Sequence, residues 1–119
     1  MPFDLTWPGS ELRDLVVDGQ SVRLRLSAAA VQGGWLSGVT LTFAEASLHG
    51  DAAQAFGRVA EGAMREGTRD VPRLSMPGTL SGDIALILRM ANGAQVVVRA
   101  GALAATLADD ARFTEDLSC

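Results

Sequence analysis

Apolar and polar residues alternate with a period of two along much of the chain, the pattern of strands that bury one face. From Glu11 to Ser27 the alternation runs through Asp18-Gly19, a strong hairpin signal. An even-numbered loop puts Leu15 and Val17 on one face with Val22, Leu24 and Leu26. Asp14 then shares the other face with Arg23 and Arg25, where opposite charges across strands contribute roughly 0.2–1 kcal/mol. An odd loop would set Asp14 beside Leu24, so the even loop is expected.

Gly33-Gly34 breaks any regular element, and beyond it Val39, Leu41 and Phe43 alternate with Thr40 and Thr42 as a half-buried strand requires. The phase then slips, because Ala46 and Leu48 continue at the opposite parity; a bulge or bend near Glu45 accounts for this. His49-Gly50-Asp51 reads as a turn. The clearest element is a hairpin of residues 84 to 90 and 94 to 100 around Ala91-Asn92-Gly93. A three-residue loop with Gly93 left-handed sets Ile84, Leu86, Leu88 and Met90 on one face with Ala94, Val96, Val98 and Ala100. The opposite face carries Arg89 beside Gln95 and Ile87 beside Val97. That second face is itself partly apolar, so another element or another subunit is expected to cover it. Leu103, Ala105 and Leu107 extend as a strand or, with Ala104 and Ala108, as a short helix.

Residues 51 to 68 admit two readings. Ala52, Phe56, Val59, Ala60, Ala63 and Met64 follow a helical period with Asp51 as N-cap. Gly57, Gly62 and Gly67 oppose it, at about 1 kcal/mol for each internal glycine, and the competing reading makes Gly57 to Glu66 an irregular strand. Pro72 and Pro77-Gly78 mark a loop.

A chain of 119 residues has room for one domain. Neither repeat, low-complexity run nor linker divides it, so residues 1–119 are expected to form one β-rich domain with a short N-terminal arm and an acidic C-terminal tail. The tail, Asp109 to Asp116, is expected to be largely exposed, with Phe113 and Leu117 pinning it to the core. Fourteen acidic residues against ten basic ones give a net charge of −4, and aromatics make up 5%. That balance disfavours nucleic acid, since little is available either for counterion release or for base stacking. Apolar runs such as Ala28 to Val31 fall far short of the roughly 20 residues a spanning helix needs. The start of the chain has no basic, apolar leader pattern, and the single cysteine, Cys119, reads as a free thiol; a cytoplasmic location is expected.

Candidate chemistry is sparse. Every basic residue is arginine, so a Schiff-base lysine and a P-loop lysine are both absent. His49 is the only histidine, with Glu45 and Asp51 as its nearest acidic neighbours in sequence; a solvated turn residue is the leading reading and a metal or acid–base role the alternative. There is no Gly-x-Ser-x-Gly elbow. No catalytic residue, metal ligand or cofactor motif is assigned. Arg58, Arg65, Arg69 and Arg73 form the densest basic stretch, interleaved with Glu61, Glu66 and Asp70. A solvated mixed-charge face is the plain reading, and a patch for an acidic partner the functional one. Trp7 and Trp35 lie in Pro- or Gly-flanked segments and read first as lids on the core, then as binding anchors.

Trp7-Pro8, the run Glu11 to Gly19, Val39 to Phe43 and Gly57-Arg58-Val59-Ala60-Glu61-Gly62 together resemble small uncharacterised bacterial β-rich proteins. Ala91-Asn92-Gly93-Ala94 and the run Arg112 to Cys119 fit the same likeness, which covers most of the chain. It implies a strand at Gly57 to Glu66 and lends no catalytic residues. More loosely, the charged strand before Asp18-Gly19 and the later Leu41-Thr42-Phe43 strand resemble polymorphic-toxin immunity proteins. Leu12-Arg13-Asp14 stands where such proteins often open with His-Asp-Ala.

The expected fold is mainly β: a single antiparallel sandwich or partly open barrel of about six to eight strands. The alternative is α+β, with a helix at about 52–66. The expected function is that of a non-enzymatic protein-interaction module, immunity-like in the looser resemblance, which meets a protein partner through Trp35, Arg58, Arg65, Arg69 and Arg73. The second hypothesis is a small-molecule-binding β module whose pocket is lined by Leu, Val and Met with Trp35 at its mouth. A homodimer is expected on the strength of the Ile87 and Val97 face.

Overall fold

The turn at Asp18-Gly19 sets the first pairing. In the computed structural model, which describes residues 3–115, Gly19 adopts φ +60° and a two-residue loop joins β1 (Phe3–Asp18) to β2 (Ser21–Val31). Leu15 faces Leu24 and Val17 faces Val22, the even register. Asp14 sits opposite Arg25, and the two side chains form a bidentate ion pair on the outer face. β2 passes through the short β3 (Gly34–Leu36) to β4 (Val39–Ala44), whose Val39, Leu41 and Phe43 point inward.

The phase slip at Glu45 is a corner. Glu45 takes φ +52°, unusual for a non-glycine residue, and beyond it the chain resumes as β5 (Ser47–Gly50), with Ala46 and Leu48 packed on the core. The partner strand β10 (Gln95–Leu107) slips at the same level, from inward Ala100 to inward Leu103. Ala44 pairs with Ala102 and Ser47 with Arg99, so the ladder keeps its register while the sheet bends. Gly101 leaves room for the Glu45 side chain, which packs over it. β9 (Gly78–Met90) and β10 form the three-residue hairpin in the expected register, Arg89 facing Gln95 and Ile87 facing Val97, with Gly93 at φ +92°. Residues 103 to 107 continue β10 as strand.

Gly57–Glu66 is strand β6, so the α+β alternative is overturned; the only helical segment among the described residues is a 3-10 turn at Ala52–Gln54. The physical reason lies in the glycines. Gly57 starts the strand at φ +90°, and Gly62 is pressed against Trp7, where its lack of a side chain makes space for the indole.

Six antiparallel strands close into a barrel in the order β1-β2-β4-β10-β9-β6, with β1 pairing β2 on one side and β6 on the other. The mainly β expectation holds. Five short strands bring the total among the described residues to eleven rather than six to eight: β3, β5, β7 (Arg69–Asp70), β8 (Leu74–Met76) and β11 (Phe113–Glu115). The segment expected as an N-terminal arm is instead the start of β1, where Phe3 to Leu5 pair with Met76 to Leu74. Part of the acidic tail is likewise strand, since β11 pairs β3 and Phe113 stacks on Phe3 with ring centroids 6.0 Å apart. Phe113 ties the tail to Phe3 at the surface, 43% exposed, and does not enter the core as a pin would; Leu117 and Cys119 lie outside the described residues.

Side chains fill the barrel. Between Thr6, paired with Ala30, and Glu11, paired with Ala28, β1 spends five residues where β2 spends two, and the excess chain shifts the phase from buried Leu5 and Trp7 to buried Ser10 and Leu12. Buried Ser10 repairs the break. Its Oγ donates to the Thr6 carbonyl and accepts from the Ala30 N–H, both at 2.8 Å. Trp7 joins Leu5, Leu12, Phe43, Leu86 and Leu88 in the core.

Candidate functional site

The outer face of β6, β1, β2, β3 and β11 is built from cross-strand rows. One row runs Thr6, Ala30, Trp35, Thr114, and the next runs Arg58, Glu11, Ala28. Small residues in the middle of these rows lower the surface: Ala28 and Gly9 form a floor, with Trp35 on one side and Glu11 and Arg58 on the other. The result is an open cleft of about 360 Å³. Gly34 and Leu36 point inward, so Trp35 between them points out and remains 36% exposed. A Cβ on Gly34 would fall 2.1 Å from the Thr114 carbonyl oxygen, so glycine there lets β11 approach and flank Trp35.

The two walls differ in what they can offer. The Glu11 carboxylate accepts a hydrogen bond from Ser27 Oγ at 2.7 Å, whereas Arg58 takes part in no ion pair among the described residues. Arg58 therefore presents its donors to the cleft, across which the Trp35 indole is partly bared.

The other arginines of the expected patch do not join this cleft. Arg65 pairs with Asp70 at 3.4 Å and donates to the Thr68 carbonyl at 3.3 Å; Arg69 pairs with Glu66 at 2.5 Å. Both serve the tight turn between β6 and β7. Arg65 lies seven positions along the strand from Arg58, about 23 Å at the usual rise. Arg69 and Arg73 line a smaller hollow of about 170 Å³ near Val71, Leu74 and Leu80. The stretch from Arg58 to Arg73 is thus divided by the geometry of a strand. Trp35 stands over a floor of small residues on the outer wall, not at the mouth of a pocket lined by Leu, Val and Met.

The floor is only faintly marked in the sequence. Its signal was the run Ala28-Ala29-Ala30 inside a strand: Ala29 is buried, and Ala28 and Ala30 fall on the outer face beside Trp35.

The acid–base candidates are scattered. His49 lies exposed on β5 opposite Val97, Glu45 packs over Gly101, and Asp51 Oδ2 accepts from the Gln95 N–H at 3.2 Å. Among the described residues no group of three or more His, Cys, Asp or Glu converges as a metal site would require. None of the helical segments there is long and apolar enough to cross a membrane. The second face of the β9–β10 hairpin is open in the single chain. Ala63, Ile87, Val97 and His49 form a row across β6, β9, β10 and β5, with Ile87 44% exposed and the Glu61–Arg89 ion pair at its border. No other described element covers this row.

No family model, no curated protein and no solved structure matches the chain.

Proposed function

We propose that this protein is a non-enzymatic binding module that engages a protein partner at the Trp35–Arg58 cleft. The observation that carries the reading is the pairing of a partly exposed tryptophan with an arginine outside any ion pair, across a floor of Gly9 and Ala28. Trp and Arg are the residue types that dominate binding energy at interfaces. A matching partner segment places an apolar side chain against the indole and a carboxylate on the guanidinium. The reading places binding on the outer wall because Trp7, Phe43 and their neighbours occupy the barrel interior. Its non-enzymatic character rests on the dispersal of His49, Glu45 and Asp51 into separate local roles. The likeness to immunity proteins supplies the first partner class to try, a toxin protein from the same cell.

The test is capture from that cell with the immobilised chain, run alongside Trp35→Ala and Arg58→Glu. A protein retained by the native sequence and lost with both variants, at unchanged circular dichroism, supports the cleft. Calorimetry with the purified partner should then show a loss of about 2 kcal/mol or more for Trp35→Ala, roughly 30-fold in Kd. Equal retention by all three chains would refute the assignment of the cleft.

A further inference from the structure

β6 begins at Gly57, opposite Leu12, so β1 beyond Leu12 has a neighbour on one side only. Asp18 and Ser21 close the two-residue loop as a hydrogen-bonded pair. By alternation, Val16 also turns its N–H and C=O toward β2, whereas Leu15 and Val17 turn theirs to the open side. Among the described residues no other backbone group meets them there. The side chains along this edge are apolar and bared: Val16 is 37% exposed and Val17 53%. An unpaired apolar edge of this kind is a template for another strand.

We infer that this edge pairs with the same edge of a second copy, making an antiparallel dimer centred on Val16. The sequence Asp14-Leu15-Val16-Val17-Asp18 reads alike in both directions by residue character. In a two-fold antiparallel pairing, groups that point outward must meet groups that point outward, so the axis passes through a residue and not between two. Centring on Val16 sets Leu15 against the second copy's Val17, and each such pair exchanges both N–H···O bonds. Val16 meets its own copy as a close, non-hydrogen-bonded pair. Moving the centre to Leu15 sets Val16 against Asp14, and moving it to Val17 sets Val16 against Asp18. Only the register centred on Val16 sets all three of Leu15, Val16 and Val17 against apolar residues. Its cost is that Asp14 faces the second copy's Asp18. The Asp14 charge is already balanced by the two-pronged hydrogen bond from Arg25, and Arg23, opposite Val16, adds a further positive charge beside the seam. The dimer extends the sheet and does not rest on the Trp35–Arg58 cleft.

Sedimentation equilibrium of the full chain is expected to show a concentration-dependent dimer. Val16→Lys, which places like charges face to face on the axis, should leave a monomer with unchanged circular dichroism and thermal unfolding at low concentration. A second measurement uses Val16→Cys combined with Cys119→Ser. The Cα atoms of a non-hydrogen-bonded pair lie about 4.5 Å apart, within disulfide reach, so mild oxidation should link this variant into a dimer. Ala63→Cys with Cys119→Ser, on the open Ile87 face, should stay unlinked. A native chain that remains monomeric at millimolar concentration, a dimer that survives Val16→Lys, or linkage through residue 63 in preference to residue 16 would each overturn the inference.

Discussion

A methyl group added at Gly62 would lie 2.4 Å from Trp7 Cβ, 2.6 Å from Trp7 Cγ and 3.0 Å from Leu88 Cδ2. Carbon atoms in contact sit about 3.5–4.0 Å apart, so the gap must open by about an ångström or more. Because Trp7 Cβ is fixed to the backbone of β1, no change of rotamer relieves the overlap, and β1 or β6 itself must shift. Overpacking of this kind costs about 1–3 kcal/mol. The φ of Gly62 is not in the left-handed region. Alanine there accordingly recovers about 0.4–1 kcal/mol through the reduced freedom of the unfolded chain. The net expectation for Gly62→Ala is a loss of about 1–2 kcal/mol, read as a fall in Tm of roughly 4–8 °C. Scanning calorimetry measures it, and near-ultraviolet circular dichroism reports whether the Trp7 environment changes with it. Gly101→Ala is the matched control. Its Cβ would meet the far end of a flexible side chain, Glu45 Oε2, at 3.2 Å. Stability should rise there by a few tenths up to about 1 kcal/mol. A Gly62→Ala protein as stable as the native one, or an equal loss at both positions, would refute the account of how Trp7 fills the barrel.

Three further outcomes are expected. Ser10→Ala removes the hydroxyl that joins the Thr6 carbonyl to the Ala30 N–H and should cost about 1–3 kcal/mol in denaturant unfolding, with faster exchange of the Ala30 amide; an unchanged Ala30 protection factor would remove the reasoning. Hydrogen bonds from Arg25 hold the Asp14 carboxyl below its ordinary value. The stabilisation from this pair is therefore fully present above that ordinary value and lost as pH falls through the lowered one; carboxyl NMR should show the Asp14 midpoint rise in Arg25→Gln, and an unmoved midpoint would contradict the assigned cause. Glu45→Gly relieves a left-handed backbone at φ +52° and should raise stability by about 1 kcal/mol in chemical denaturation, whereas a clear loss would show that Glu45 packing over Gly101 outweighs the strain.

The alternation of side chains was enough to read the two tight hairpins, because the loop length sets the register and a one-residue slip would exchange the faces. Leu15 opposite Leu24 and Ile87 opposite Val97 follow from parity alone. The slip at Glu45 was legible for the same reason, and so was the cross-strand position of Asp14 and Arg25. The candidate site was legible only in its members: Trp35 and Arg58 stood out as residue types, but nothing local joins positions 23 residues apart in sequence.

Tertiary structure decided what period-two patterning is blind to. Closure of the barrel depends on β1 serving two neighbours, β2 and β6, at strand separations that alternation does not encode. Helix or strand at Gly57 to Glu66 turned on a contact distant in sequence, the Trp7 indole against Gly62. The arginines from 58 to 73 separated because an extended chain carries consecutive charges away from one another at about 3.3 Å per residue. Within the two hairpins and the Val39–Phe43 strand, the sequence alone determined which side chains face in and which face out. Three-dimensional pairing determined which outward residues meet, so the cleft between Trp35 and Arg58 and the bare edge at Val16 became visible only once the strands were placed.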